Sequence, residues 1–218
     1  MLGTITKYIV QTLNLGLSPE PSNADWQMFD DGSVETGVGE LLYGFIRGHR
    51  PFWSLETGTY HGISSSYLGL ALKENNYGYL DAVEYEQQHL QLSKERWSKL
   101  DISERVYEHL ISSLEFVPQH NYDFIFLDTE PNLRFNELVR FYPYLNEGGY
   151  VFIHDLPRGM CQGNINPDLP DFKSWPYGDL PEEIKQWLRS GELIKFHFNS
   201  PRGLTGLYKK HLGDYKWE

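Results

Sequence analysis

Ser54-Leu55-Glu56-Thr57-Gly58-Thr59-Tyr60-His61-Gly62-Ile63-Ser64 is the stretch whose reading decides the fold. The apolar lead-in Phe52, Trp53 and Leu55 predicts a short buried strand over residues 52–56. An acid closes that strand, two glycines four positions apart follow, and the small-residue run 64–72 predicts a helix. Strand, glycine turn and helix in this order lay out a nucleotide-type cofactor site. Glycine allows the sharp turn and the close approach to a ligand that a Cβ would block. The spacing is not the GxGxxG of dinucleotide enzymes, and no Lys-Ser/Thr pair makes it a phosphate loop.

Outward from this stretch, strands and helices alternate. Further strands are predicted at 79–84, 106–111, 123–128 and 150–155, with helices at 86–100 and 135–145 between them. Asp123-Phe124-Ile125-Phe126-Leu127-Asp128 is apolar without alternation, as expected of a parallel strand covered on both faces. Leu193–Phe198 and Leu204–Lys209, joined by a Pro-Arg-Gly turn, predict a closing hairpin. Before the first strand, Ser33-Val34-Glu35-Thr36 reads as the cap of a helix running to about Ile46. Ile5, Tyr8, Ile9 and Leu13 recur at helical spacing near the start of the chain, and 18–32 reads as a polar connector. The pattern predicts an α/β fold with a doubly wound, mostly parallel seven-stranded sheet ending in an antiparallel hairpin. Its parts are a helix and connector at 1–32, the main domain at 33–210 and a tail at 211–218. A proline- and aromatic-rich insertion at 156–190, with Phe172, Trp175 and Tyr177, reads as a lid.

Composition narrows the function. A net charge of −11 across 218 residues speaks against a duplex nucleic-acid partner, which needs clustered Lys and Arg. The single cysteine, Cys161, excludes an intramolecular disulfide framework and fits a reducing, cytoplasmic setting. No window is apolar for long enough to span a membrane, and the first sixteen residues do not read as a secretory signal.

The motif Glu56-x-Gly58-x-x-x-Gly62-x-Ser64 resembles motif I of the class I S-adenosylmethionine (SAM)-dependent methyltransferases, in the form found in catechol-type small-molecule O-methyltransferases. Glu84, Asp128 and the Gly148-Gly149 turn follow in register, and the terminal hairpin fits that Rossmann-like topology. The resemblance implies SAM as cofactor, with Glu56, Gly58, Thr59, Tyr60, Gly62 and Ser64 forming its turn. Glu84 would take the ribose hydroxyls and Tyr85, Ser112 and Ser113 would lie near the adenine. Glu35 would lie near the methionine end, and Asp128 would face both cofactor and acceptor. Ser112 stands where the family often has Asp.

Asp128 and Asp155 close adjacent strands, and two such carboxylates can share a hard cation. In metal-dependent relatives these places hold ligands, so the resemblance adds Mg2+ as a candidate cofactor. Two departures stand against it: Leu156 replaces the family's Asn and Pro131 replaces its Lys. His154 and His61 are candidate general bases or hydrogen-bonded scaffold. The expected activity is O-methylation of a small molecule or sugar, with Asp128, Asp155 and His154 near the transferred methyl. Homodimers are common in the family. Two other readings stay open: a dinucleotide oxidoreductase on the same scaffold, and a degenerate methyltransferase fold kept as a binding or assembly module.

Overall fold

Each apolar run predicted as a strand is a strand in the computed structural model, which describes residues 3–20, 23–30, 32–156, 180–198, 200 and 202–211. The chain divides into two compact units, residues 1–116 and 117–218.

In the first unit, α1 (Thr4–Leu13) is followed by a small antiparallel hairpin, β1 (Ser18–Glu20) and β2 (Asn23–Met28). Next come α2 (Thr36–His49), β3 (Trp53–Thr57), α3 (Ile63–Asn75), β4 (Tyr79–Glu84), α4 (Gln87–Lys99) and β5 (Val106–Leu110). Strands β3, β4 and β5 pair in parallel, Leu55 opposite Asp81 and Asp81 opposite Tyr107. Helix α3 is buried on every face from Ile63 to Leu72, as its small and aliphatic residues allow. Trp97 of α4 donates its indole N–H to Ser65 Oγ at 2.9 Å inside this packing.

Two expectations change here. The 18–32 segment carries a hairpin, which its short polar strands did not announce, and Met28 bridges to Glu35. Helix α1 buries Thr6, Ile9 and Leu13 while Tyr8 is exposed. Thr6 is drawn inward because its hydroxyl bonds Tyr67 Oη at 2.7 Å and Glu40 Oε1 at 2.8 Å. A buried hydroxyl is tolerable once it is paired.

The second unit holds β6 (Tyr122–Leu127), α5 (Arg134–Phe141), β7 (Leu145–His154), α6 (Glu182–Ser190), β8 (Leu193–Phe198) and β9 (Leu204–Lys209). Strands β6 and β7 are parallel, and β7, β9 and β8 are antiparallel neighbours. Strand β7 starts five residues earlier than the sequence suggests. Tyr122 pairs with Leu145 but Phe124 pairs with Tyr150, so the intervening residues bulge, and Gly148 takes φ 78° to allow it. Pro181 stands at the N-cap of α6, and Ile184 is buried beneath it. The lid residues 157–179, including Phe172, Trp175 and Tyr177, and tail residues 212–218 lie outside the described residues.

The seven-stranded sheet has the order β5-β4-β3-β6-β7-β9-β8. This is the mixed, doubly wound topology with an antiparallel end that the sequence predicts. Among the described residues, no helix is long and apolar enough to cross a membrane.

Gly39 of α2 tests the packing most sharply. A Cβ there would stand 2.3 Å from the ring of Tyr67, a fully buried residue. Gly39→Ala is expected to destabilise the protein by about 1–3 kcal/mol through overpacking, a melting temperature lower by several degrees. Gly37→Ala, where a Cβ meets nothing within 4 Å, should leave thermal unfolding nearly unchanged.

Candidate active site

The first unit builds its site at the carboxyl ends of β3 and β4, where a parallel sheet leaves ligands room. Glu56 and Thr59 are buried, and Thr59 donates its hydroxyl to Glu56 Oε2 at 3.2 Å. The turn that follows carries three positive φ values: Gly58 at 78°, Tyr60 at 48° and Gly62 at 75°. Gly58 and Thr59 donate their N–H groups to Val83 O at 3.0 and 3.3 Å, pinning the turn to β4. Gly62 has a reason beyond its φ. A Cβ there would lie 2.8 Å from Ser93 Cβ and 2.9 Å from Ser93 Cα, so the close approach is to α4. Ser93 Oγ in turn donates to Tyr60 O at 2.8 Å.

Glu84 is the hub of this turn. Its Oε2 accepts the Tyr60 N–H at 2.7 Å and its Oε1 accepts the Glu86 N–H at 2.8 Å. Two backbone donors hold an almost fully buried carboxylate in one orientation. Tyr85 beside it is more than half exposed, and Ser113 is buried next to half-buried Ser112. Buried Ser64 sits in the first turn of α3, and Glu35, also buried, caps α2. All the predicted cofactor residues of this unit therefore lie on the turn, on strand ends or at helix starts.

Sequence reasoning missed a second layer around the turn. His61 Nδ1 lies 2.9 Å from Asp30 Oδ2, and Arg96 donates to His61 O at 2.6 Å while its Nη2 lies 3.6 Å from Asp30. The Tyr60 and His61 rings stack at 3.7 Å, and His89 meets Tyr60 edge-on at 4.5 Å. His61 is thus tied into the turn.

The second unit assembles a different cluster at the ends of β6 and β7. Asp128, His154 and Asp155 offer ligand atoms within 4.8 Å of one another. His154 is fully buried and its Nδ1 lies 2.9 Å from Asp128 Oδ1. Two arginines complete the cluster. Arg134, at the start of α5, directs Nη2 to Asp128 Oδ1 at 3.1 Å and to Asp155 Oδ2 at 3.2 Å. Its Nη1 also donates to Asp155 Oδ2 and to His154 O, and its Nε donates to Thr129 O at 2.8 Å. Arg202, from the β8–β9 turn, forks onto Asp155, Nε to Oδ1 at 2.7 Å and Nη2 to Oδ2 at 2.9 Å. Thr129 donates to the buried Glu137 at 2.7 Å. Burial pushes the Asp155 carboxyl up, but His154, Arg202 and Arg134 outweigh it and hold the group below its ordinary value.

The donor types suit a hard cation, but the charges do not. Both carboxylates already carry guanidinium, and magnesium seeks near-octahedral oxygen ligands at about 2.0–2.1 Å. The sequence announces a need for counter-charge, with two acids at strand ends and Pro131 where the resembled family has Lys, but not which arginines supply it.

A Methyltransferase domain family model matches residues 55–156. No curated protein matches the chain. Among solved structures, the O-methyltransferase TomG of Streptomyces achromogenes, in complex with SAM, is 18% identical with a TM-score of 0.60, covering 84% of each chain. The SAH-bound methyltransferase PaMTH1 of Podospora anserina is 15% identical at a TM-score of 0.65, covering 95% of this chain and 94% of its own. An O-methyltransferase of Bacillus cereus in complex with SAH is 16% identical at 0.61, covering 95% and 91%. These likenesses agree on the fold. Residues 55–156 thus match the methyltransferase-domain family model, and the chain has the class I methyltransferase fold.

Proposed function

We propose that the protein is a SAM-dependent O-methyltransferase acting on a hydroxyl of a small molecule. The observation that carries this reading is the Glu84 carboxylate, fixed by the Tyr60 and Glu86 N–H groups beside the glycine turn, inside the segment that matches the family model. Each Glu84 oxygen keeps a lone pair for a ribose hydroxyl. Tyr85, Ser112 and Ser113 are assigned to the adenine and Glu35 to the methionine end.

SAM, when bound, supplies an electrophilic methyl carbon on a sulfonium leaving group. The chain must hold the acceptor hydroxyl in line and take its proton as the oxygen–carbon bond forms and the carbon–sulfur bond breaks. Asp128 is the group we assign to that proton. Its Oδ1 is committed to Arg134 and His154, while its Oδ2 carries no hydrogen bond among the described residues. Asp155 has both oxygens taken by arginine, so it anchors the site. His154, buried behind Asp128, orients that carboxylate. Positioning alone can contribute several powers of ten in rate. A cytoplasmic setting and a homodimeric state complete the proposal, on the single cysteine and the family resemblance.

Four outcomes are expected. Saturating SAM should stabilise the wild type by roughly 2.7 kcal/mol at a hundredfold excess over Kd, read as a higher melting temperature. Glu84→Ala should abolish that shift; a shift retained in full removes Glu84 from the site. Asp128→Asn should keep the SAM shift and lower kcat by about 10²–10⁴-fold, the usual range for a proton-transfer group. Asp155→Asn should instead lower stability by about 3–5 kcal/mol, because it leaves buried guanidinium charge unanswered. Calorimetry separates that loss from a loss of turnover.

A further inference from the structure

We propose that Arg134 and Arg202 hold the cation's place between Asp128 and Asp155, so that this chain works without a divalent metal. The inference rests on the methyltransferase reading above and deepens it.

The geometry is that of a built site. Arg134 is only 3% exposed at its side chain, and all three of its guanidinium nitrogens are engaged, by Thr129 O, His154 O, Asp128 and Asp155. A guanidinium so enclosed has no alternative set of acceptors to move to. Arg202 takes Asp155 in the planar fork that suits carboxylate best. The two acids and two arginines sum to zero charge. A dication placed among them would leave an uncompensated charge of two in a buried setting, or would have to expel Arg134 from its bonds. Either course carries the penalty of burying unpaired charge.

Chain geometry explains how the arginines arrive. The Asp128–Arg134 spacing lets β6, a short connection and the first residue of α5 return a side chain to the strand end. Arg202 comes from the turn between β8 and β9, whose last strand pairs with β7 and sets His154 opposite Leu204. Asp155 itself sits at φ 55°, a left-handed conformation for a non-glycine residue. The arginine fork and the backbone bend fix the same carboxylate. Arg134 and Arg202 are therefore positioning residues: they aim Asp128 and anchor Asp155, and the charge they carry is what a metal would otherwise bring.

The test is a titration of the full-length protein with Mn2+, followed by water-proton relaxation or electron paramagnetic resonance, with and without SAM. The wild type should show no stoichiometric binding up to millimolar Mn2+. Arg134→Gln/Arg202→Gln should gain at least tenfold in Mn2+ affinity, since two close carboxylates are then left unneutralised. Should that variant not fold, Arg202→Gln alone carries the test, and a folded protein binding no better than wild type overturns the proposal. One Mn2+ per wild-type chain, lost in Asp155→Asn, overturns it as well. The two readings fail separately. Absence of a SAM-induced thermal shift sinks the functional reading whatever Mn2+ does, whereas a Mn2+-binding wild type leaves SAM binding intact.

Discussion

A charge buried at the end of a parallel strand has to be answered from within the protein, and the answer given at each strand end shapes everything around it. These carboxylates are buried, so little water reaches them to compensate their charge. Glu84 is answered by backbone: the N–H groups of Tyr60 and Glu86 aim at its two oxygens. Asp155 is answered by side chains, the Arg134 and Arg202 guanidinium groups. The difference matters chemically. Backbone donors leave a carboxylate charged, acceptor-rich and ready for a ligand's hydroxyls. Guanidinium groups neutralise one and close it.

The glycine turn follows from the first of these. For Tyr60 to present its N–H to Glu84 the chain must double back, and Tyr60 itself takes φ 48° between two glycines at 78° and 75°. Strain of this kind persists where the surroundings over-determine it. Here they do so through Val83 O, Ser93 and the Asp30–His61–Arg96 set. Asp30 comes just after the small hairpin and reaches back to the turn. The segment before the main domain is thereby part of the glycine turn's support.

What could be read from the sequence was whatever depends on local order. Apolar runs gave β3, β4, β6 and β7, and the motif from Glu56 to Ser64 placed the turn and α3. Glu84, Asp128 and Asp155 were found because strand ends can be counted. The β1–β2 hairpin escaped because a three-residue strand of Ser, Pro and Glu has no alternation to detect. The start of β7 was misplaced because a Gly-Gly pair signals a turn, and a bulge inside a strand uses the same residues. Arg134 and Arg202 escaped for a deeper reason. Their partner Asp155 lies 21 and 47 positions away, and nothing in either local sequence separates a buried arginine from a solvated one.

The arrangement in the second unit also divides labour between two acids that look equivalent in sequence. Each closes a strand, and each is about 8% exposed at its side chain. Asp155 accepts from two arginines through both oxygens, which neutralises it and fixes its orientation. Asp128 accepts from Arg134 and His154 through one oxygen only. That sharing aims the other oxygen, and a fully buried imidazole is well suited to hold such an aim. An acid pair built to chelate would place both carboxylates toward a common point with their oxygens open. In this pair both Asp155 oxygens accept from arginine, while among the described residues one Asp128 oxygen accepts from none, the distribution that the proposed proton-accepting role requires.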